Sequence, residues 1–94
     1  MFYVYILKSP KHGQIYIGYT ADLRKRFERH QKEGHKGWML VYYEAYRNEQ
    51  DAREREQNLK HYGATLGVLK KRMKRSMDLS EFRIGGGSSA LKSP

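Results

Sequence analysis

Phe2-Tyr3-Val4-Tyr5-Ile6-Leu7-Lys8, followed after a turn by Gln14-Ile15-Tyr16-Ile17-Gly18-Tyr19, is the stretch on which the reading of this chain depends. Both segments alternate with period two, as strands do. Phe2, Val4 and Ile6 share one face of the first, and Tyr3, Tyr5 and Leu7 share the other. Ser9-Pro10-Lys11-His12-Gly13 has turn composition, so the two segments are expected to pair as an antiparallel hairpin. Ile15 and Ile17 then face a core, while Tyr16 and Gly18 lie together on the opposite face. Tyr16 meets Tyr5 across the hairpin if the register permits.

Outward from the hairpin, Thr20 or Asp22 can cap a helix running to about Lys32, with Leu23, Phe27 and His30 as its inward stripe. Gly34 to Gly37 reads as a loop. Trp38 to Tyr46 is aromatic and β-branched, a third strand, and Asn48 can cap a charged helix reaching Tyr62. Gly63 suits the stop of that helix and Thr65 the start of another, whose Leu66, Leu69, Met73 and Met77 recur at three and four residues. The order strand, strand, helix, strand, helix, helix predicts an α+β fold: a small three-stranded antiparallel sheet flanked by about three helices. The domain is expected to span residues 1–84, with Asp78 to Ile84 its last ordered segment or the start of a tail. The Gly/Ser-rich 85–94 has the composition of a flexible tail.

A chain of 94 residues has room for one compact domain and leaves none for a second that reads sequence. It has no cysteine, so disulfide frameworks and thiolate metal sites are excluded and any metal must be held by oxygen or imidazole. No apolar run approaches the roughly 20 residues of a membrane span, and no leader pattern precedes the first strand. A cytoplasmic protein is the expectation, with association to the nucleoid left open. Nineteen Lys and Arg against ten Asp and Glu leave a formal charge of +9, which points to nucleic acid over acidic proteins or membranes.

Hydrolysis of a phosphodiester needs a deprotonated nucleophile, neutralised phosphoryl oxygens and a stabilised leaving oxygen. The residue types for all three are present. A tyrosine hydroxyl, whose ordinary pKa is near 10, acts as a base only beside a cation or a metal-bound water. Arg26 falls about 60° from Leu23 on an ideal helix, at the edge of the buried stripe, where a planar fork can take two phosphoryl oxygens. Arg24, Lys25 and Arg29 are candidate contacts to a phosphate backbone, or else a solvated face. His30, one turn beyond Arg26, can pass a proton or bind phosphate, or be a packed core histidine. Gly18 reads as a strand bulge or as a place where a missing side chain lets a phosphate approach. Ala52, Glu56 and Leu59 fall on one line of the charged helix, so Glu56 turns inward and needs a partner: a cation, or an arginine in an internal ion pair.

Tyr3-Val4-Tyr5, Tyr16-Ile17-Gly18, Asp22-Leu23-Arg24-Lys25-Arg26 with Phe27-Glu28-Arg29-His30, and Glu56-Gln57-Asn58-Leu59-Lys60 stand in an order and spacing that resembles the GIY-YIG endonuclease family, in its small single-domain form. The resemblance covers most of residues 2–62. It implies that Tyr16 activates water, that Tyr5 positions or shares the proton, that Arg26 is the catalytic arginine, and that Glu56 binds the metal. His30 joins this catalytic set, and Tyr3, Gly18, Arg24, Lys25, Arg29 and Lys60 are the expected nucleic-acid contacts. A hard cation, Mg²⁺ or Mn²⁺, needs few protein ligands because it keeps its waters and takes phosphate oxygens. The first motif reads Tyr-Val-Tyr where the family has Gly-Ile-Tyr. The two asparagines, Asn48 and Asn58, do not match the one that many nuclease members carry late in the domain.

The function expected is a metal-dependent endonuclease acting on DNA, with RNA left open. It would be directed by substrate structure or only weakly by sequence, in repair or recombination, with a partner protein as a source of specificity. The alternative is a non-catalytic nucleic-acid-binding module, or a subunit that docks on a repair or processing complex through its methionine-bearing helix.

Overall fold

A computed structural model describes residues 1–78. The proposed segment 78–84, beyond Asp78, and the 85–94 tail lie outside the described residues. The elements follow the expected order: strands β1 (Phe2–Lys8) and β2 (Ile15–Thr20), helix α1 (Leu23–Lys32), strand β3 (Met39–Tyr46), and helices α2 (Glu49–His61), α3 (Gly63–Arg72) and α4 (Lys74–Met77). The architecture is α+β around one antiparallel sheet of strand order β2-β1-β3.

Placing β1 in the centre explains its composition. Val4, Tyr5, Ile6 and Leu7 are all fully buried, whichever face they take, because both faces of a central strand are covered. The hairpin turn is closed by the Ser9 amide donating to Gln14 O at 2.8 Å, and the Ser9 hydroxyl accepts from the Lys11 and His12 amides. In the hairpin register Tyr5 stands opposite Gly18, Ile6 opposite Ile17, and Leu7 opposite Tyr16. Tyr5 and Tyr16 are therefore diagonal neighbours on one face. The sheet's irregularity lies on the other side of β1, where Ile6 pairs with Tyr42 but Leu7 with Leu40, leaving Val41 as the extra residue. Gly18 is thus no bulge.

The face bearing Val4, Ile6 and Ile17 carries the apolar core, closed by Ala52 and Leu59 of α2, Leu69 of α3 and Met73. Burying these side chains supplies the main drive to fold, on the order of 1.5–3 kcal/mol for each large one. Beside that core, Arg55 of α2 grips Glu44 of β3 through Nε and Nη2 at 2.9 to 3.2 Å, and the Tyr42 and Tyr46 hydroxyls donate to the same carboxylate.

Two helix boundaries differ from expectation. Gly63 does not stop α2, which ends on Tyr62 in an extended conformation; Gly63 is the first residue of α3, and Tyr62, not Thr65, precedes it as the N-cap. An extended Tyr62 already breaks the helix, so a left-handed glycine is not needed. The methionine-bearing stripe is also split, since the chain departs from α-helix at Met73 before α4 begins. Leu69 and Met73 nevertheless remain buried on one side.

Candidate active site

The second face of the sheet carries Tyr5, Leu7, Tyr16 and Gly18, and α1 lies over it. Asp22 caps α1, its carboxylate accepting from the Lys25 amide at 3.1 Å, while the Thr20 hydroxyl accepts from the Asp22 amide at 3.0 Å. That start fixes the phase of the helix: Leu23, Arg26 and Phe27 are partly buried, His30 is buried, and Arg24, Lys25 and Arg29 are exposed.

Tyr5 is only 1% exposed, and its hydroxyl shares a 2.7 Å hydrogen bond with His30 Nε2. The Tyr16 ring stands 6.1 Å from the Tyr5 ring and packs edge-on against His30 at 4.9 Å between centroids. Gly18 lies beneath Tyr5: a Cβ there would come within 2.4 Å of Tyr5 Cζ. The room left by the glycine is filled by the phenol ring. Arg26 reaches from α1 back to the edge strand, with Nη1 3.5 Å from Tyr19 O.

Burial pushes the Tyr5 hydroxyl up to about 12, and the nearby Tyr16 hydroxyl adds to this, while the Arg26 guanidinium pulls in the opposite direction. Tyr5 is therefore a protonated phenol at neutral pH. His30 is held below the ordinary histidine range, first by burial and then by His35, Arg26 and Arg29, so its imidazole is neutral and able to accept a proton.

Tyr16, Arg26, Arg29, His30, Glu33 and His35 line a cavity of about 280 Å³. On the outer side of α1 a wider depression of about 500 Å³ runs past Lys25, Lys32 and the same Arg26 and Arg29. The two share Arg26, Arg29 and Glu33, and the outer depression is also lined by Asp22 and Glu28.

Four of the expected catalytic groups, Tyr5, Tyr16, Arg26 and His30, thus come together. Glu56 is not among the residues lining the cavity. It belongs to α2, on the opposite layer of the sheet, where its side chain is 15% exposed and its carboxylate pairs with the Lys60 ammonium at 3.1 Å. Its partner is a lysine; the internal arginine pair, the alternative to a metal for this residue, is made by Glu44 and Arg55 instead. Arg55 turns to β3, and Glu56, about 100° further round the helix, turns to the other side. That is the side on which Glu49 accepts from the Tyr19 hydroxyl at 2.6 Å and Arg53 stacks over the Tyr19 ring. Glu56 therefore points toward β2, the strand that carries Tyr16.

Of the expected contacts, Arg24 and Lys25 are exposed, Arg29 is paired with Glu33, Lys60 with Glu56, and Tyr3 packs edge-on against the half-exposed Tyr43. His35 was read only as part of a loop. Its Nδ1 lies 3.0 Å from His30 Nδ1 and its ring 4.8 Å from that of Tyr16. The signal for it was Gly34: at φ 81° just beyond the helix end, it folds the chain back so that the next residue meets the last turn.

A family model described as the GIY-YIG catalytic domain matches residues 1–71. The chain belongs to the GIY-YIG family. A UPF0213 protein of Clostridium perfringens (strain 13 / Type A) is 37% identical over 67 residues, an overlap covering 64% of this chain and 71% of that one. No solved structure matches significantly. As a GIY-YIG domain the chain is of a nuclease family whose substrate is nucleic acid and whose members generally use divalent metal ions. Among the described residues no helix is long and apolar enough to cross a membrane, and no group of three or more His, Asp or Glu could hold a metal. A metal at this GIY-YIG site would rest on few protein ligands. Glu56 has the donor chemistry for one, a carboxylate on a side chain only 15% exposed that pairs with the Lys60 ammonium, and it stands outside the cavity lining.

Proposed function

We propose that this protein is an endonuclease that hydrolyses phosphodiester bonds in DNA with the help of Mg²⁺ or Mn²⁺. The observation that carries the reading is the Tyr5–His30 hydrogen bond set beside Tyr16 and Arg26 at one cavity. A buried phenol paired with a neutral imidazole is a proton donor and acceptor held in line, next to a guanidinium that can bind a phosphoryl group.

In this mechanism Arg26 draws the scissile phosphate into the cavity and neutralises charge that grows on its non-bridging oxygens. Tyr16, at the cavity wall, orients the attacking water and takes its proton. Tyr16 hands its own hydroxyl proton to Tyr5 as it does so, and Tyr5 passes its proton across the shared bond to His30 Nε2; the Arg26 charge favours phenolate character along the way. Glu56 would hold the metal ion in place of Lys60; the ion, when bound, supplies positive charge to the phosphoryl and leaving oxygens. Arg24, Lys25 and Arg29, along α1, hold the flanking phosphates without reading bases, which makes the shape of the substrate the source of selectivity. A role in repair or recombination, a cytoplasmic site and a partner that adds specificity all fit this reading.

The Lys60 ammonium on Glu56 favours one second reading, a module that binds nucleic acid without cutting it. The two readings separate when purified protein meets plasmid, single-stranded, flapped and branched DNA, and RNA, with Mg²⁺, Mn²⁺ or EDTA. Cleavage that needs metal and disappears in Tyr16→Phe, Arg26→Ala and Glu56→Ala supports the nuclease. Binding with no cleavage under any of these conditions assigns the second reading.

A further inference from the structure

The loop between α1 and β3 delivers one side chain whose contacts run straight into the reaction centre. From this arrangement we infer that His35 is a positioning residue of the same reaction, the outer member of a relay that carries a proton between Tyr5 and the surface by way of His30. The inference rests on the nuclease reading for its purpose but not for its geometry.

That geometry begins in the backbone. The His35 amide donates to His30 O at 3.1 Å, the six-to-one bond of a helix ending in a left-handed glycine, here Gly34. Residue 35 is thereby returned to the turn that bears His30. Gln31 fastens the rest of the loop, donating to Trp38 O at 2.9 Å and accepting from the Gly37 amide at 3.0 Å, and the Trp38 ring closes edge-on over His35 at 4.6 Å. The position of the His35 ring is therefore set by a helix end, a side-chain clamp and an indole.

The two imidazoles meet through Nδ1 atoms 3.0 Å apart, and the other nitrogen of His30 is the one bonded to Tyr5. A neutral imidazole has one donor and one acceptor, so the bonds on the two nitrogens of His30 must run in the same sense. In one sense Tyr5 donates to His30 Nε2, and His30 Nδ1–H donates to His35 Nδ1. Transfer along the line breaks the Tyr5 O–H bond and forms N–H at His30 Nε2. It breaks N–H at His30 Nδ1 and forms it at His35 Nδ1, and the proton on His35 Nε2 then leaves to water. What remains is a Tyr5 phenolate that accepts from His30 Nε2–H, with both histidines neutral again. That phenolate can take the proton of the attacking water by way of Tyr16, and the next turnover starts from the neutral phenol after each imidazole exchanges its proton with water in the cavity they line, His30 from Nε2 back to Nδ1 and His35 from Nδ1 back to Nε2.

The groups that face the relay bear on its direction. Arg26 and Arg29 from α1 oppose a standing positive charge on His30, Glu33 also lines the cavity, and the Tyr16 ring packs against both histidines. An imidazolium at His30 is thus a passing state. Both histidines line the cavity; His30 is 8% exposed, and His35, only partly buried, is the more open of the two.

The test compares His35→Asn and His35→Ala with wild type in two measurements, after circular dichroism confirms that each is folded. Asparagine can keep a hydrogen bond to His30 Nδ1 but cannot take a proton on one atom and release it from another. In cleavage assays both variants are expected to lose about ten- to a hundred-fold in kcat with KM little changed, and added imidazole should restore part of the rate of the alanine variant. Wild-type kcat in the asparagine variant would overturn the relay. Independently of cleavage, nitrogen NMR of the rings should show His30 and His35 titrating as a coupled pair in wild type, and His30 as a single site in His35→Asn. Independent titrations in wild type would overturn the relay whatever the assay shows. Coupled titrations in a protein that cuts no substrate would support the relay and sink the nuclease reading.

Discussion

The Tyr5 ring stands where a side chain at Gly18 would have to be. The two residues are paired across the hairpin, and a Cβ on Gly18 would approach the ring to 2.4 Å at Cζ and at the hydroxyl oxygen alike. The phenol that His30 holds from above is thus seated from below by the absence of an atom. Gly18→Ala is expected to displace a fully buried ring, costing about 1–3 kcal/mol of stability, as overpacking does. It should also cut cleavage sharply by breaking the Tyr5–His30 bond. Urea unfolding followed by tryptophan fluorescence measures the first effect and a plasmid-nicking assay the second. Wild-type stability would show that Tyr5 has another place to go.

Tyr5→Phe keeps the ring that fills the space over Gly18 and removes only the hydroxyl. His30 Nε2 then loses its partner in a buried place, which should cost about 1–3 kcal/mol. The fold should persist while cleavage falls by about a hundred-fold or more. Tyr16→Phe removes a hydroxyl from a more open position, so its loss should be mainly in kcat, with stability nearly unchanged. Equal destabilisation in both variants would count against the difference in burial as the cause.

Arg26→Lys retains the charge but not the fork. A bidentate grip on phosphate is lost, so kcat should drop while binding to DNA, carried by Arg24, Lys25 and their neighbours, declines only modestly. Fluorescence anisotropy with labelled DNA against a salt series separates the two. A matching fall in affinity and rate would place Arg26 among the general backbone contacts instead.

Away from the site, Glu44 ties β3 to α2, and it yields a pH dependence. Burial alone would push this carboxyl up, but Arg55 and the hydroxyls of Tyr42 and Tyr46 together leave it below the ordinary carboxylate range. A carboxyl held lower in the folded state stabilises the protein at pH above its unfolded value, near 4.3, and that contribution disappears as pH falls through the folded value. At the other limit, burial and Glu44 push Tyr42 and Tyr46 up to about 12. Their contribution is full below about pH 10 and is lost as pH rises through the folded value. Glu44→Gln should therefore lower Tm at pH 7 and flatten both the acid and alkaline limbs of a thermal-melt series, without touching the cavity. Unchanged limbs would mean that the cluster is not what the pH titrates.

Glu56 and Lys60 supply a test of the metal's place. Lys60→Ala frees the carboxylate, so the Mg²⁺ or Mn²⁺ concentration needed for half-maximal cleavage should fall, and Glu56→Gln should raise it beyond reach. Titration of cleavage against metal concentration in each variant decides. A Lys60→Ala protein with unaltered metal demand would locate the ion elsewhere.

By its own order of residues the chain determined the strands and most of the helices. Period-two alternation in Phe2–Lys8 and Ile15–Tyr19, the cap at Asp22 and the cap at Asn48 are local, and a local pattern suffices where burial on one face selects it. The facing of Tyr16 and Gly18 away from Ile17 was legible for the same reason, as was the edge position of Arg26 on its helix. What tertiary structure alone decided were relationships between segments far apart in the chain. The register that sets Tyr5 against Gly18, the helix end that brings His35 onto His30, and the choice of Glu44, not Glu56, as the carboxylate of the internal ion pair are of this kind. A periodicity tells which way a side chain points, but the partner it meets is fixed by how whole elements pack, and packing depends on every residue at the contact at once.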